Sequence, residues 1–223
     1  MARPYIVVWE GVDGAGKTTL MKRVKEILEE RGFKVLTYKT PSNSPTGEFA
    51  IRYGNEPGID HLTRMLLFLA NTSDDSKRMR VDLARSPDFY FIDRYYLCSI
   101  VYGLAFSRLN GVEASEGDFT KLLDMIEKLG DKVFLKPDLY VIVDAPEENR
   151  IRRLTKKPSQ GGLEDELERD LSMQRHVREL YRVFAEAKPD QVLWIMNPEG
   201  RLEETAHAVA EKLISKGSLR TLE

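Results

Sequence analysis

The sequence predicts an α/β fold in which five parallel strands form one sheet flanked on both faces by helices. Three observations predict it. Five short apolar runs lack the polar alternation of a half-exposed strand, so each reads as buried on both faces. Helix-period repeats separate those runs, and Gly or Pro punctuates most of the junctions. Residues 5–9 are the first β-rich run. A glycine cluster follows, then a helical pattern on Leu20, Val24, Ile27 and Leu28 that Gly32 stops. Residues 33–38 read as the second strand, and Pro41, Pro45 and Gly47 mark a loop. The next helix is long, with Ile59, Leu62, Met65, Leu66 and Leu69 on one face. Ser86-Pro87 breaks it ahead of the third strand, 89–92, which ends in Asp93. Helices are expected over 96–106 and 119–129. Residues 139–143 and 192–196 are the fourth and fifth strands. Between them Leu167, Leu171, Val177, Leu180 and Phe184 outline a helix, and 202–214 closes the chain.

Composition narrows the function classes. At 223 residues, with 42% apolar and 31% charged, the chain is expected to fold as one domain over 1–223. Thirty-four Lys and Arg against 36 Asp and Glu give a net charge of −2, without the excess of a protein that coats nucleic acid. A lone Cys98 excludes an internal disulfide and a Cys-rich zinc site, and His61, His176 and His207 lack metal-ligand spacing. No apolar run approaches ~18 residues and no secretory signal precedes the first strand. A cytoplasmic protein without membrane or nucleic-acid partners is expected.

The strongest chemical signal is Gly11-Val12-Asp13-Gly14-Ala15-Gly16-Lys17-Thr18, followed by Thr19. It fits G-x-x-x-x-G-K-[ST], for which this composition predicts roughly 0.007 chance matches. Glycines let backbone N–H groups converge on phosphate oxygens, and the following helix adds positive potential at its N-terminus. Lys17 is expected on the β- and γ-phosphates of ATP, and the Thr18 hydroxyl on Mg²⁺. A GTPase would add an Asn/Thr-Lys-x-Asp guanine reader, but Thr155-Lys156-Lys157-Pro158 lacks the aspartate. Small P-loop kinases are the leading class.

Asp93-Arg94-Tyr95, at a strand-to-helix junction, resembles the Asp-Arg-Tyr motif of thymidylate kinases. The resemblance extends through Leu66-Leu67-Phe68-Leu69-Ala70-Asn71, Ser99-Ile100-Val101-Tyr102, Pro137-Asp138-Leu139, Asp144-Ala145-Pro146-Glu147 and Val177-Arg178-Glu179-Leu180-Tyr181. It implies a P-loop NTPase fold with a lid at about 153–166, a homodimer, and transfer of the ATP γ-phosphoryl group to dTMP. By the same resemblance Arg94 holds the acceptor phosphate and Asp93 assists Mg²⁺ or its water. Asp13 contacts the acceptor 3′-hydroxyl, and Phe68 and Tyr102 flank the base. Each has a plainer reading as well: an N-cap aspartate with a surface arginine, a turn aspartate, and core aromatics.

Arg150, Arg152, Arg153, Lys156 and Lys157 run into Pro158-Ser159-Gln160-Gly161-Gly162, which reads as a basic helix end leading into that lid. With Gly14 inside the loop, the chain resembles relatives whose catalytic cation sits in the lid. Arg153 is the first choice and Lys157 the second; a solvated helix end is the alternative. The family's Asp-Arg-x-Glu lid string is replaced by Asp165-Glu166-Leu167-Glu168. The base site departs too: Thr72 stands where the family has arginine, Gly103 where it has a polar residue, and Lys39-Thr40-Pro41 where it has Arg-Glu-Pro. Lys39 and Thr72 are therefore the candidate acceptor contacts, with a broadened acceptor range. A kinase for another nucleoside monophosphate, or a nucleotide-binding module without catalysis, are the alternatives.

Overall fold

A computed structural model describes residues 3–158 and 162–219. Its sheet has the order β2-β3-β1-β4-β5. The strands are β1 (Tyr5–Gly11), β2 (Val35–Lys39), β3 (Phe89–Asp93), β4 (Leu139–Asp144) and β5 (Val192–Met196), every neighbouring pair being parallel. All residues of β3 and β4, and all but the first of β1, are buried, as continuous apolar runs require. The edge strands β2 and β5 are partly exposed. Register fixes the position of the site. Trp9 pairs with Asp93 and Gly11 with Val143, so the glycine loop after β1 and Asp93-Arg94 after β3 leave the sheet at one edge. That carboxyl-end crevice is where ligands bind in open α/β sheets.

The helices are α1 (Lys17–Glu30), α2 (Pro45–Gly54), α3 (His61–Leu83), α4 (Tyr96–Leu109), α5 (Glu116–Leu129), α6 (Glu147–Lys156), α7 (Leu163–Arg169), α8 (Leu171–Ala187) and α9 (Leu202–Leu219). α1 packs on α9, while α4 packs on α3, α5 and α8.

Three expectations need correction. The single helix read through Leu167, Leu171, Val177, Leu180 and Phe184 is broken at Asp170, which leaves the helical region after α7 and caps α8 by accepting from the Met173 N–H at 2.7 Å. The segment read as a loop from Pro45 and Gly47 is helical. Ser44 caps α2 by accepting from the Gly47 N–H at 3.0 Å, and Pro45 sits in the first turn, where its missing N–H costs nothing. Gly47 is a packing residue, since a Cβ there would lie 1.9 Å from the Ser42 carbonyl oxygen. The expected stripe of α3 is also split. Met65 and Leu69 are buried with Asn71, Thr72, Asp75, Ser76 and Met79, whereas Leu62 and Leu66 are each 51% exposed. The inner face of α3 is substantially polar because it borders a cleft.

Candidate active site

The cleft, about 720 Å³, opens at the carboxyl edge of the sheet. It is lined by Val12 through Thr19, by Lys39, Phe68, Thr72, Asp93, Arg94 and Tyr102, and by Arg153 and Lys157. Gly11 lies behind it at the end of β1. At φ 138, its absent side chain lets β4 approach: a Cβ would fall 2.0 Å from the Val143 carbonyl oxygen.

The loop between β1 and α1 is held from outside. Arg150 Nη1 donates to the Asp13 carbonyl at 2.6 Å, and Arg153 Nη1 donates to that of Ala15 at 2.8 Å. Asn197 Nδ2 donates to the same Ala15 oxygen at 2.8 Å. With its carbonyls tied off by α6 and the end of β5, the loop keeps an open cradle. Gly16 caps α1 without a side-chain hydrogen bond, and the first turn carries no acidic residue. An N-terminus of this kind attracts phosphate. Lys17 is buried at the base of the cradle; burial and the nearby Arg94 lower its pKa, against Asp93 and Asp13. The Thr18 hydroxyl donates to Asp93 Oδ2 at 3.1 Å. This pair of oxygen donors matches the hard-ligand chemistry of Mg²⁺, which takes one or two protein oxygens and completes its shell with phosphate and water. Among the described residues no group of three His, Cys, Asp or Glu is placed to hold a metal without a substrate.

Asp13 faces inward and is 6% exposed. Oδ1 pairs with Arg94 Nη2, while Oδ2 accepts from the Tyr102 hydroxyl at 2.8 Å and from Gln174 Nε2 at 3.0 Å. Burial pushes its carboxyl up, but Arg94, Lys17 and these hydrogen bonds outweigh burial and hold it below the usual range. Arg94 also donates from Nη1 to Cys98 Sγ at 2.9 Å and lies over the Tyr102 ring, 5.0 Å from its centroid. The buried Asp13 and Tyr102 and the half-buried Arg94 thus form one knot between the two halves of the cleft.

The remaining predicted residues fall as follows. Phe68 lines the far half, with the Arg64 guanidinium 4.9 Å from its centroid. Thr72 is buried, and its hydroxyl donates to the Phe68 carbonyl at 2.9 Å. Lys39 is exposed at the rim. Arg153 lies in the last turn of α6, tied to Ala15 and, through Nη2 at 3.0 Å, to the Asn197 carbonyl. Lys157 pairs with Glu168 of α7 at 2.7 Å. Within the expected lid, Ser159, Gln160 and Gly161 lie outside the described residues.

Sequence reasoning missed three participants. Gln174 was one position of an amphipathic helix, Arg150 one of several basic residues, and Arg64 a charge among leucines. Their signal was polarity on the inward face of a helix: Arg150 and Gln174 are each 1% exposed.

Three comparisons bear on identity. A family model described as thymidylate kinase matches residues 9–208. A probable thymidylate kinase of Pyrococcus horikoshii is 27% identical over 209 residues, 91% of this chain and 92% of that one. A thymidylate kinase of Caldicellulosiruptor saccharolyticus is 33% identical over 151 residues, 66% of this chain and 68% of that one. The solved structure of a thymidylate kinase from Candida albicans superposes with a TM-score of 0.69 at 19% identity, covering 97% of this chain and 95% of that chain, a likeness of fold.

Proposed function

The chain belongs to the thymidylate kinase family, and on that footing we propose that it phosphorylates dTMP to dTDP with ATP. The observation that carries this reading is the Asp13–Arg94 pair, which joins a residue of the phosphate cradle to a cation across the cleft. A protein that only bound ATP has no need of that second cation. We read residues 1–223 as one kinase unit, with 153–166 as its lid.

An oxygen of the acceptor phosphate attacks the γ-phosphorus of ATP as the bond to the β-phosphate oxygen breaks, yielding dTDP and ADP. No protein group becomes covalently bonded, so the protein contributes position and charge. The N–H groups of the Gly11–Thr19 loop hold the donor phosphates, and Lys17 compensates the charge that redistributes onto them. Arg94 orients the acceptor phosphate, and Asp13 holds Arg94 while presenting an acceptor to the sugar hydroxyl. Phe68 and Tyr102 flank the base, with Lys39 and Thr72 at its periphery. Arg153 carries positive charge from the lid side onto the cradle. Thr18 and Asp93 would hold Mg²⁺, the latter partly through water; the ion supplies charge neutralisation between the phosphates.

No helix among the described residues is long and apolar enough to cross a membrane. We place the enzyme in the cytoplasm as a homodimer, with no nucleic-acid or membrane partner. The exposed Leu62, Leu66 and Val81 of α3 offer an apolar contact face.

The test is ADP release with dTMP, dUMP, dCMP, dGMP and dAMP under one set of conditions. We expect dTMP to give the highest kcat/KM, with dUMP next. A purine nucleotide outranking dTMP overturns the substrate; ADP release indifferent to every acceptor overturns the kinase.

A further inference from the structure

We infer that Arg64 reads the carbonyl edge of the acceptor's pyrimidine base, a role that rests on the proposed dTMP kinase activity. Arg64 lies on the inner face of α3, one helical turn before Phe68, and is 8% exposed. It lines the cleft beside Phe68, Thr72 and Tyr102. Its guanidinium bonds only weakly, Nη2 donating to Asn55 Oδ1 at 3.3 Å, while among the described residues the buried Nε has no hydrogen-bond partner. Burial holds its pKa below the usual range, with the Glu164 carboxylate only partly offsetting that penalty. A cation in such a place is costly unless something completes its hydrogen bonds. An apolar side chain would fill the same volume without that cost. The cleft that Arg64 lines can supply that completion.

The surrounding residues define what completes it. Phe68 lines the cleft, and the Arg64 guanidinium lies over its ring, 4.9 Å from the centroid and within cation–π range, so the ring and the cation stand together at one place. The Thr72 hydroxyl is spent on the Phe68 carbonyl. Asn71 spends its amide hydrogens on the Ser44 and Thr46 hydroxyls, at 3.3 and 3.4 Å. Opposite, α4 offers no side chain at Gly103, where a Cβ would lie 2.7 Å from Met65 Sδ. Arg64 is left as the donor-rich group beside the Phe68 ring. A guanidinium only donates, so it pairs with ring carbonyls and is mismatched to an exocyclic amine. Uracil and thymine present a carbonyl at C4; cytosine presents an amine there. The arginine missing at position 72 is replaced by one entering from two turns upstream.

The experiment compares wild type, Arg64→Met and Arg64→Lys with dTMP, dUMP and dCMP, by kcat/KM and by calorimetric binding of each nucleotide. Wild type should prefer dTMP and dUMP over dCMP. Arg64→Met should lose about 10- to 100-fold on the two keto nucleotides and less than about 3-fold on dCMP. Arg64→Lys should retain part of the preference, and neither variant should melt below wild type. Equal losses on all three nucleotides, or an unchanged dTMP-to-dCMP ratio, overturns the inference and leaves Arg64 a structural partner of Asn55. Wild-type turnover of dTMP tests the kinase reading separately. The binding ratio reads Arg64 even if another nucleotide proves the better acceptor.

Discussion

Arg94 is held at φ 65, a left-handed conformation that costs a non-glycine residue about 1–2 kcal/mol. Its N–H donates to the Trp9 carbonyl at 3.0 Å, and its own carbonyl accepts from the Thr40 hydroxyl at 2.9 Å. These bonds enforce a turn that aims the guanidinium at Asp13 and the cleft. The backbone and side-chain roles separate by mutation. Arg94→Ala and Arg94→Gly should each lose at least ~100-fold in dTMP-dependent kcat/KM, with a smaller change in ATP affinity. Arg94→Gly should nevertheless melt higher than Arg94→Ala, because glycine adopts this φ without strain. Identical melting of the two would show that the turn carries no strain. On the donor side, Lys17→Ala should abolish most turnover with an unchanged circular dichroism spectrum. Near-normal turnover in that variant would remove Lys17 from the chemistry.

At the scale of elements, α6 is the brace of the phosphate loop. It sends Arg150 to the Asp13 carbonyl and Arg153 to that of Ala15, one helical turn apart. Arg153→Ala should lower kcat by about 10- to 100-fold and raise the KM for ATP less, since it loosens the cradle and removes lid-side charge together. Lys157→Ala, which loses only an exposed pair with Glu168, should change either constant less than about 3-fold. Steady-state kinetics on both variants separates brace from rim, and equal small effects would return the segment to a solvated helix end. The five strands were legible because central parallel strands must be apolar throughout, and the loop because few residue types permit a phosphate cradle. α2 was not, since Pro45 and Gly47 act as breakers or as first-turn residues depending on Ser44. Arg64 was hidden for a related reason. Its meaning depends on which face of α3 borders the cleft, and the leucines around it suggested an apolar stripe that the fold divides.

For the whole molecule, the site rests on a buried acid that takes no part in binding. Glu10 on β1 is fully buried; it accepts from the Tyr95 N–H at 2.9 Å and from the Tyr181 hydroxyl at 2.8 Å. It therefore ties the central strand to the start of α4 and to α8, the elements that carry Tyr102 and Gln174 to Asp13. Burial raises its pKa to about 7, against the lowering effects of Tyr181, Arg94, Tyr95 and Lys17. An exposed glutamate has a pKa of 4.5, so between pH 4.5 and 7 the unfolded chain releases this proton while the folded chain keeps it. The fold binds the extra proton there, and its stability falls as pH rises through that window, by at most about 3 kcal/mol from this group. Glu10→Gln keeps an oxygen acceptor and an amide for the same partners without ionising. Its melting temperature relative to wild type should therefore improve from pH 5 to pH 8. A difference that stays constant across that range would mean that Glu10 titrates alike in the folded and unfolded chains, and would remove this linkage between the central strand and the helices behind the site.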